Sequence, residues 1–193
     1  LHGGRFHTNA ALLLVLETDL EFSGIGFDHF LPTGHQMVVT GAEPEERVVY
    51  EINGAPAADE YARLVGVPRE ALSPEVFAEN PVLVRNSALY HVRAIQEVQE
   101  GGALSFLSAI DEGLLLTLGK GQEIVQTMAQ ELDLRDGRGR APEFILGFDC
   151  VLRRIEIDHK QLTRQASEVL RERSGAGLSA LFGTSTPRAV VFS

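Results

Sequence analysis

Val48–Gly66 reads VVYEINGAPAADEYARLVG, and this stretch sets out a strand, a turn and a helix in immediate succession. Val48, Tyr50 and Ile52 alternate with Val49 and Glu51, so the two sets fall on opposite faces of an extended chain, and only one face is clearly apolar. Asn53-Gly54 then offers the backbone a tight turn. Pro56 suits the start of a helix, where its missing N–H is not needed, and Ala57, Tyr61, Leu64 and Val65 recur at helical spacing before Gly66 ends the run. A strand that feeds a helix through so short a joint implies sheet and helix packed on one another.

The same grammar extends in both directions. Upstream, Ala10–Glu17, Glu21–His29, Gln36–Thr40 and Arg47–Ile52 read as strands between Gly, Pro and Asn punctuation. Downstream, Ser73-Pro74 opens a short helix to about Glu79, and Leu83–Arg85, Tyr90–Val98, Ala103–Ile110 and Leu114–Leu118 follow as β segments of an antiparallel meander. A helix from about Gln122 carries Ile124, Met128 and Leu132 on one face, and a glycine-bearing loop at Arg135–Arg140 ends it. Phe144–Phe148 is a strand. Asp158 and Gln161 make a capping-box start to a helix with Leu162, Ala166, Val169 and Leu170 on its buried stripe and Gly175 as its stop. Strands joined by short turns outnumber strand–helix–strand units, so the expected class is mixed α/β, of the α+β kind: a largely antiparallel sheet with packed helices. Two lobes would divide near Glu43–Arg47.

The 193 residues hold 17 Lys+Arg against 27 Asp+Glu, a net charge of −10, which argues against nucleic acid or an anionic membrane surface as partner. Mean hydropathy of +0.01 and 44% apolar residues are enough for a core. The longest apolar run, Ala10–Leu16, stops at Glu17, short of a membrane span. A single cysteine, Cys150, rules out an internal disulfide framework and fits a cytoplasmic chain. The start at Leu1 is that expected of a piece of a longer protein.

Phosphate-cradling loops are not indicated. Gly24-Ile25-Gly26 and Gly119-Lys120-Gly121 lack the spacing such loops need, and both read as turns. Asp111-Glu112 reads as a solvated turn, and Arg135, Arg138 and Arg140 as a solvated loop. Cys150, near Arg153 and Arg154, is either a reactive thiol or, the stronger reading, a small buried hydrophobe between Phe148 and Val151. The six histidines show no paired spacing for a zinc site. A haem iron asks for less, since one axial imidazole facing an apolar pocket suffices. His29, between Asp28 and Phe30 and beyond Phe27, meets that best and is the metal-ligand candidate; His91 is second and His7 third. For each of them, a hydrogen-bonded surface or core histidine is the commoner role. A small carboxylate-bearing metabolite would instead be held by Arg85, Arg93 or Arg153.

Val48–Gly66 also closely resembles the junction at which the C-terminal half of a FIST domain begins, a family named for F-box and intracellular signal-transduction proteins. LHGGRFHTNAALLL at Leu1–Leu14 and the Pro32–Thr40 run resemble the closing strands of the family's N-terminal half, while AIDEGLLLT at Ala109–Thr117 and FDCVLRR at Phe148–Arg154 resemble its C-terminal half. The likeness covers about residues 1–172 and implies closing strands at 1–45, then a FIST C-terminal domain at 46–193 with an atypical tail from about 175. It implies a non-enzymatic sensory module of bacterial type acting beside a histidine kinase or another signalling protein, with a homodimer among its expected assemblies, and its most specific version is haem-based sensing of nitric oxide. The rivals are a FIST module for a small metabolite such as an amino acid, and a Cys150-dependent thiol enzyme.

Overall fold

The computed structural model describes residues 3–11, 13, 15, 17, 19, 21–25, 29–87, 89–132, 144–173, 178–182 and 188–192. In chain order, β1 (Phe22–Ile25), β2 (Phe30–Glu43), β3 (Val48–Ile52) and the short β4 (Ala55–Pro56) lead into α1 (Ala57–Val65) and α2 (Pro74–Glu79). Five strands follow: β5 (Val82–Asn86), β6 (Leu89–Arg93), β7 (Ile95–Val98), β8 (Leu104–Phe106) and β9 (Leu115–Gly121). The last third comprises α3 (Ile124–Glu131), β10 (Phe144–Asp149), α4 (Val151–His159), α5 (Thr163–Arg173), β11 (Leu178–Phe182) and β12 (Arg188–Phe192).

Two sheets result. The larger runs β6-β5-β9-β2-β3-β8-β7, with β4 paired to β3, and all its pairings are antiparallel. Its two ends are consecutive in the chain, since only Ala94 separates β6 from β7. The sheet therefore curls round until it is nearly barrel-shaped. The mixed α/β class is as expected, but the order is not a simple meander, because β9 inserts between β5 and β2. β2 and β3 pair across the Pro44–Arg47 turn, so strands on both sides of it contribute to one wall. The second sheet, β1-β12-β10-β11, is antiparallel except for the β10–β11 pair.

Three apolar clusters organise these layers. Met37, Val39, Ile52, Val82, Leu104, Phe106, Leu116 and Leu118 fill the inner face of the large sheet, joined by Tyr61 of α1 and Phe77 of α2. Each such fully buried side chain contributes about 1.5–3 kcal/mol. On the outer face, Phe30, Leu83, Val92 and Ala94 meet Ala78 of α2 and Cys150 and Leu152 of α4. The third cluster joins α3, α4 and α5 through Ile124, Met128, Leu132, Ile157 and Ala166.

The start of α1 agrees with the sequence, and its end does too: Gly66 takes φ +83° and returns its N–H to the Ala62 carbonyl. Ser73 caps α2 as expected, accepting from the Val76 N–H. The alternation expected in β3 breaks, because Val48, Val49 and Ile52 are all buried while Tyr50 is exposed. The register gives the reason: it passes from Gly41↔Glu51 to Ala42↔Val49, so Tyr50 is the extra residue of a bulge and swings outward. Pro32 is tolerated within β2 because that stretch of the strand pairs with β9 alone and leaves the proline's ladder side open.

Other expectations are corrected. Ala10, Ala11, Leu13, Val15 and Glu17 lie in no strand, and Leu13 and Val15 are exposed. Gly119-Lys120-Gly121 is the end of β9 and not a turn; glycine serves there because a Cβ at Gly119 would stand 2.9 Å from the Pro81 carbonyl oxygen. Gly24 and Ile25 belong to β1. The helix read from Asp158 is two helices, with Asp158 near the end of α4 and its carboxylate accepting from the Thr163 hydroxyl at the start of α5 at 2.9 Å. Asp111-Glu112 is an exposed turn, as read. Gly26, the Arg135–Arg140 loop and Gly175 lie outside the described residues.

Candidate functional site

Leu83 faces α2 and α4 on the outer side, whereas its neighbours Val82 and Val84 face the barrel interior. In the β5–β6 pair, Val82 stands opposite Arg93 and Val84 opposite His91. Residues directly opposite share a face, so His91 and Arg93 project from β6 onto the inner, aliphatic face. Tyr90 and Val92 take the outer face, against the cluster that holds Cys150. Val84, His91 and Arg93 are each half-buried, so this sector of the interior remains open to solvent.

The neighbouring wall is the continuation of β8. Ile95 pairs with Phe106, and the Leu107 N–H donates to the Ala94 carbonyl at 3.0 Å, which carries the same register one step on. Ser108 lies one residue further on, in the bend that follows β8, just as Arg93 lies one residue before Ala94. Arg93 Nε and Ser108 Oγ are both buried and without a hydrogen-bond partner.

His29 sits elsewhere and is treated very differently. It is 1% exposed, just before β2, and its Nε2 donates to Oε2 of the fully buried Glu156 on α4 at 2.6 Å. Lys160 Nζ donates to the other carboxylate oxygen, Oε1, at 2.7 Å and stands 4.0 Å from Glu79. The imidazole packs on Phe30 with ring centroids 4.0 Å apart. Burial by itself would raise the Glu156 carboxyl, but the hydrogen bonds from His29 and Lys160 outweigh it and hold the group below the ordinary carboxylate value. For Lys160, burial works downward and the Glu156 charge prevails, lifting the ammonium above its usual value. A Cβ at Gly121 would approach Glu156 Oε1 to 3.3 Å, so the strand's glycine makes room for the carboxylate. The His29 Nε2 is thus engaged by Glu156. Its role is to tie the start of β2 to α4.

The remaining sequence candidates are dispersed. His7 is exposed in the N-terminal stretch. Arg85 is exposed, projects from the face opposite to Arg93, and donates from Nε to the Ser87 carbonyl at 3.1 Å. Arg153 is 2% exposed on α4, in a different layer from Arg93. Cys150 is buried at the N-terminal end of α4, the environment of a small hydrophobe. The three arginines therefore do not converge; only Arg93 shares a face with a candidate histidine. Sequence reasoning missed Glu156, Lys160 and Ser108. No local signal marks them, since Glu156 meets His29 across 127 positions and the burial of Ser108 Oγ without a partner shows only in the folded chain.

Among the described residues no group of three or more His, Cys, Asp or Glu side chains is placed to hold a metal ion, and no helix is long and apolar enough to cross a membrane. No curated protein and no solved structure matches the chain. Residues 1–55 match the FIST N domain and residues 57–185 the FIST C domain, so the barrel draws β2 and β3 from the first match and β5–β9 from the second. FIST domains are in general sensory, ligand-binding modules of signal transduction and not enzymes. With the FIST C match alone running unbroken over residues 57–185 of 193, the chain belongs to the FIST family.

Proposed function

We propose that this FIST chain is a non-enzymatic sensor of a small diffusible metabolite, taken up on the open sector of the barrel's inner face at β6. The observation that carries this reading is Arg93: a guanidinium whose Nε is buried and unpartnered on an otherwise aliphatic wall, beside the half-buried His91. A ligand can shift a sensor only through unequal affinity for two conformations. Here the strand bearing the site is the one at which the sheet nearly closes, so a ligand bridging β6 to its neighbours favours the more closed form. A partner such as a histidine kinase would read that change.

A haem-based nitric oxide sensor is the second reading, and the half-buried inner-face position of His91 favours it over His29. Bound haem would supply the iron that takes up the gas, and this chain's part would be to present the His91 imidazole.

The two separate in one preparation. The metabolite reading expects glycine, acetate or succinate to raise the melting temperature, by roughly 2–4 °C per kcal/mol of linked binding energy, and expects no Soret band from protein expressed with a haem supply. A Soret band lost in His91→Ala would replace the metabolite by haem.

A further inference from the structure

The described barrel wall satisfies its buried polar groups wherever the chain supplies both partners. The Tyr61 hydroxyl donates to the Asn80 carbonyl at 2.7 Å, Asn53 Nδ2 to Glu60 at 2.9 Å, and the Ser105 hydroxyl to the Glu97 carbonyl at 3.4 Å. Arg93 Nε and Ser108 Oγ break that pattern, the one on β6 and the other in the bend after β8, on either side of the Leu107 N–H bond to the Ala94 carbonyl. One is a cationic N–H donor and the other a hydroxyl free to rotate its proton. Any oxygen acceptor with two lone pairs can take both donors, but a neutral one leaves the guanidinium charge uncompensated. An oxygen atom carrying negative charge suits the pair best, since it accepts both hydrogen bonds and also neutralises the guanidinium.

Resting on the sensor reading above, we infer that Arg93 and Ser108 form an oxyanion subsite, in which one ligand oxygen accepts from Arg93 Nε–H and from the Ser108 hydroxyl. Carboxylate and phosphate share this chemistry. Val82, opposite Arg93, and Leu118 beyond it present apolar surface beside it, so the body of the ligand is uncharged next to its anionic group. His91, two residues along β6 on the same face, is placed to meet the ligand's far side and to select among anions of different length.

Nitrogen-15 spectra of the full 193-residue chain read the subsite directly through the arginine Nε–H signals, with that of Arg93 assigned by its loss in Arg93→Lys and, independently, in Arg93→Met. Acetate, succinate, glycine and inorganic phosphate are the probes, each at tens of millimolar. Movement of the Arg93 signal with a carboxylate or with phosphate is the expected result and identifies the source of the oxyanion. Ser108→Ala is expected to weaken that binding about tenfold, the effect of one hydrogen bond, and Arg93→Met about a hundredfold, the effect of removing a charged partner. An Arg93 signal unmoved by all four probes, in a protein that haem or an uncharged metabolite stabilises, overturns the subsite and leaves the sensor standing. Silence towards every probe and every such ligand overturns both.

Discussion

The His29–Glu156 contact and the Arg93–Ser108 pair are both polar insertions into apolar surroundings, and the fold finishes one and leaves the other open. At the first, two donors meet two carboxylate oxygens, and a glycine on β9 clears the space. At the second, a donor and a hydroxyl are buried with nothing to bond. Each unsatisfied buried group costs about 1–3 kcal/mol, so the open pair is an expense that the closed one avoids. The closed cluster joins segments 127 positions apart and has the properties of a structural tie. The open one is the proposed oxyanion subsite.

Breaking the closed cluster should give the largest effect. Glu156→Ala strands His29 and Lys160 without their acceptor and is expected to cost about 3–5 kcal/mol, the range for removing one partner of a buried pair, read as a drop in the urea midpoint. Glu156→Gln should lose less. The cluster also predicts a pH dependence with a definite sign. Because the folded Glu156 carboxyl lies below its ordinary value of 4.5, its contribution is complete above pH 4.5 and fades as the pH falls through the lower folded value. The Lys160 contribution is complete below 10.5 and fades as the pH rises through its raised folded value. Urea midpoints followed across pH should therefore sag at both extremes, and Glu156→Gln should make both limbs shallower. Unchanged limbs in that variant would demote the cluster to a bystander.

Smaller effects sharpen the contrast within the barrel. Gly119→Ala forces a methyl against the Pro81 carbonyl oxygen and Leu83, a backbone contact that cannot swing aside, and should cost about 1–3 kcal/mol. Tyr61→Phe removes a buried donor to the Asn80 carbonyl and should cost about 1 kcal/mol in thermal or chemical denaturation. Burial pushes the Tyr61 phenol far up, so the hydroxyl stays a neutral donor throughout the accessible range and this cost should not vary with pH.

The local parts of this molecule were legible in its sequence and the long-range parts were not. Pro56, Gly66, Ser73 and Pro74 each constrain their own backbone, and α1 and α2 fall where those residues put them. β3 was legible as a strand, but its faces were not, because a bulge at Tyr50 depends on what β2 does across the ladder. Gly119 and Gly121 looked like turn residues because glycine has the same appearance whether it allows a positive φ or a close approach. α4 was missed because Val151, Ile155 and Ile157 are β-branched and the Asp158 cap directed attention to the helix that follows. At the site, residue type led to His29 and Arg93 alike. Only their surroundings, the Glu156 acceptor on α4 for His29 and the lack of one for Arg93 Nε, separate the tie from the proposed subsite.

The smallest predicted effect is the most discriminating because its sign is opposite to the others. Arg93→Met keeps an unbranched apolar stem while removing the buried Nε–H that lacks an acceptor. Replacing an uncompensated buried polar group by an apolar one of similar shape is neutral or stabilising, so without ligand the variant should melt at or slightly above the wild-type temperature, by a gain of about 1 kcal/mol at most. The same change at the finished cluster, Lys160→Met, should lower the melting temperature, since it takes a hydrogen bond from Glu156. A site kept at the expense of stability is a site kept for what binds there. If Arg93→Met instead destabilised the ligand-free protein as much as Glu156→Ala does, Arg93 would be a second tie, and the distinction between the two regions would disappear.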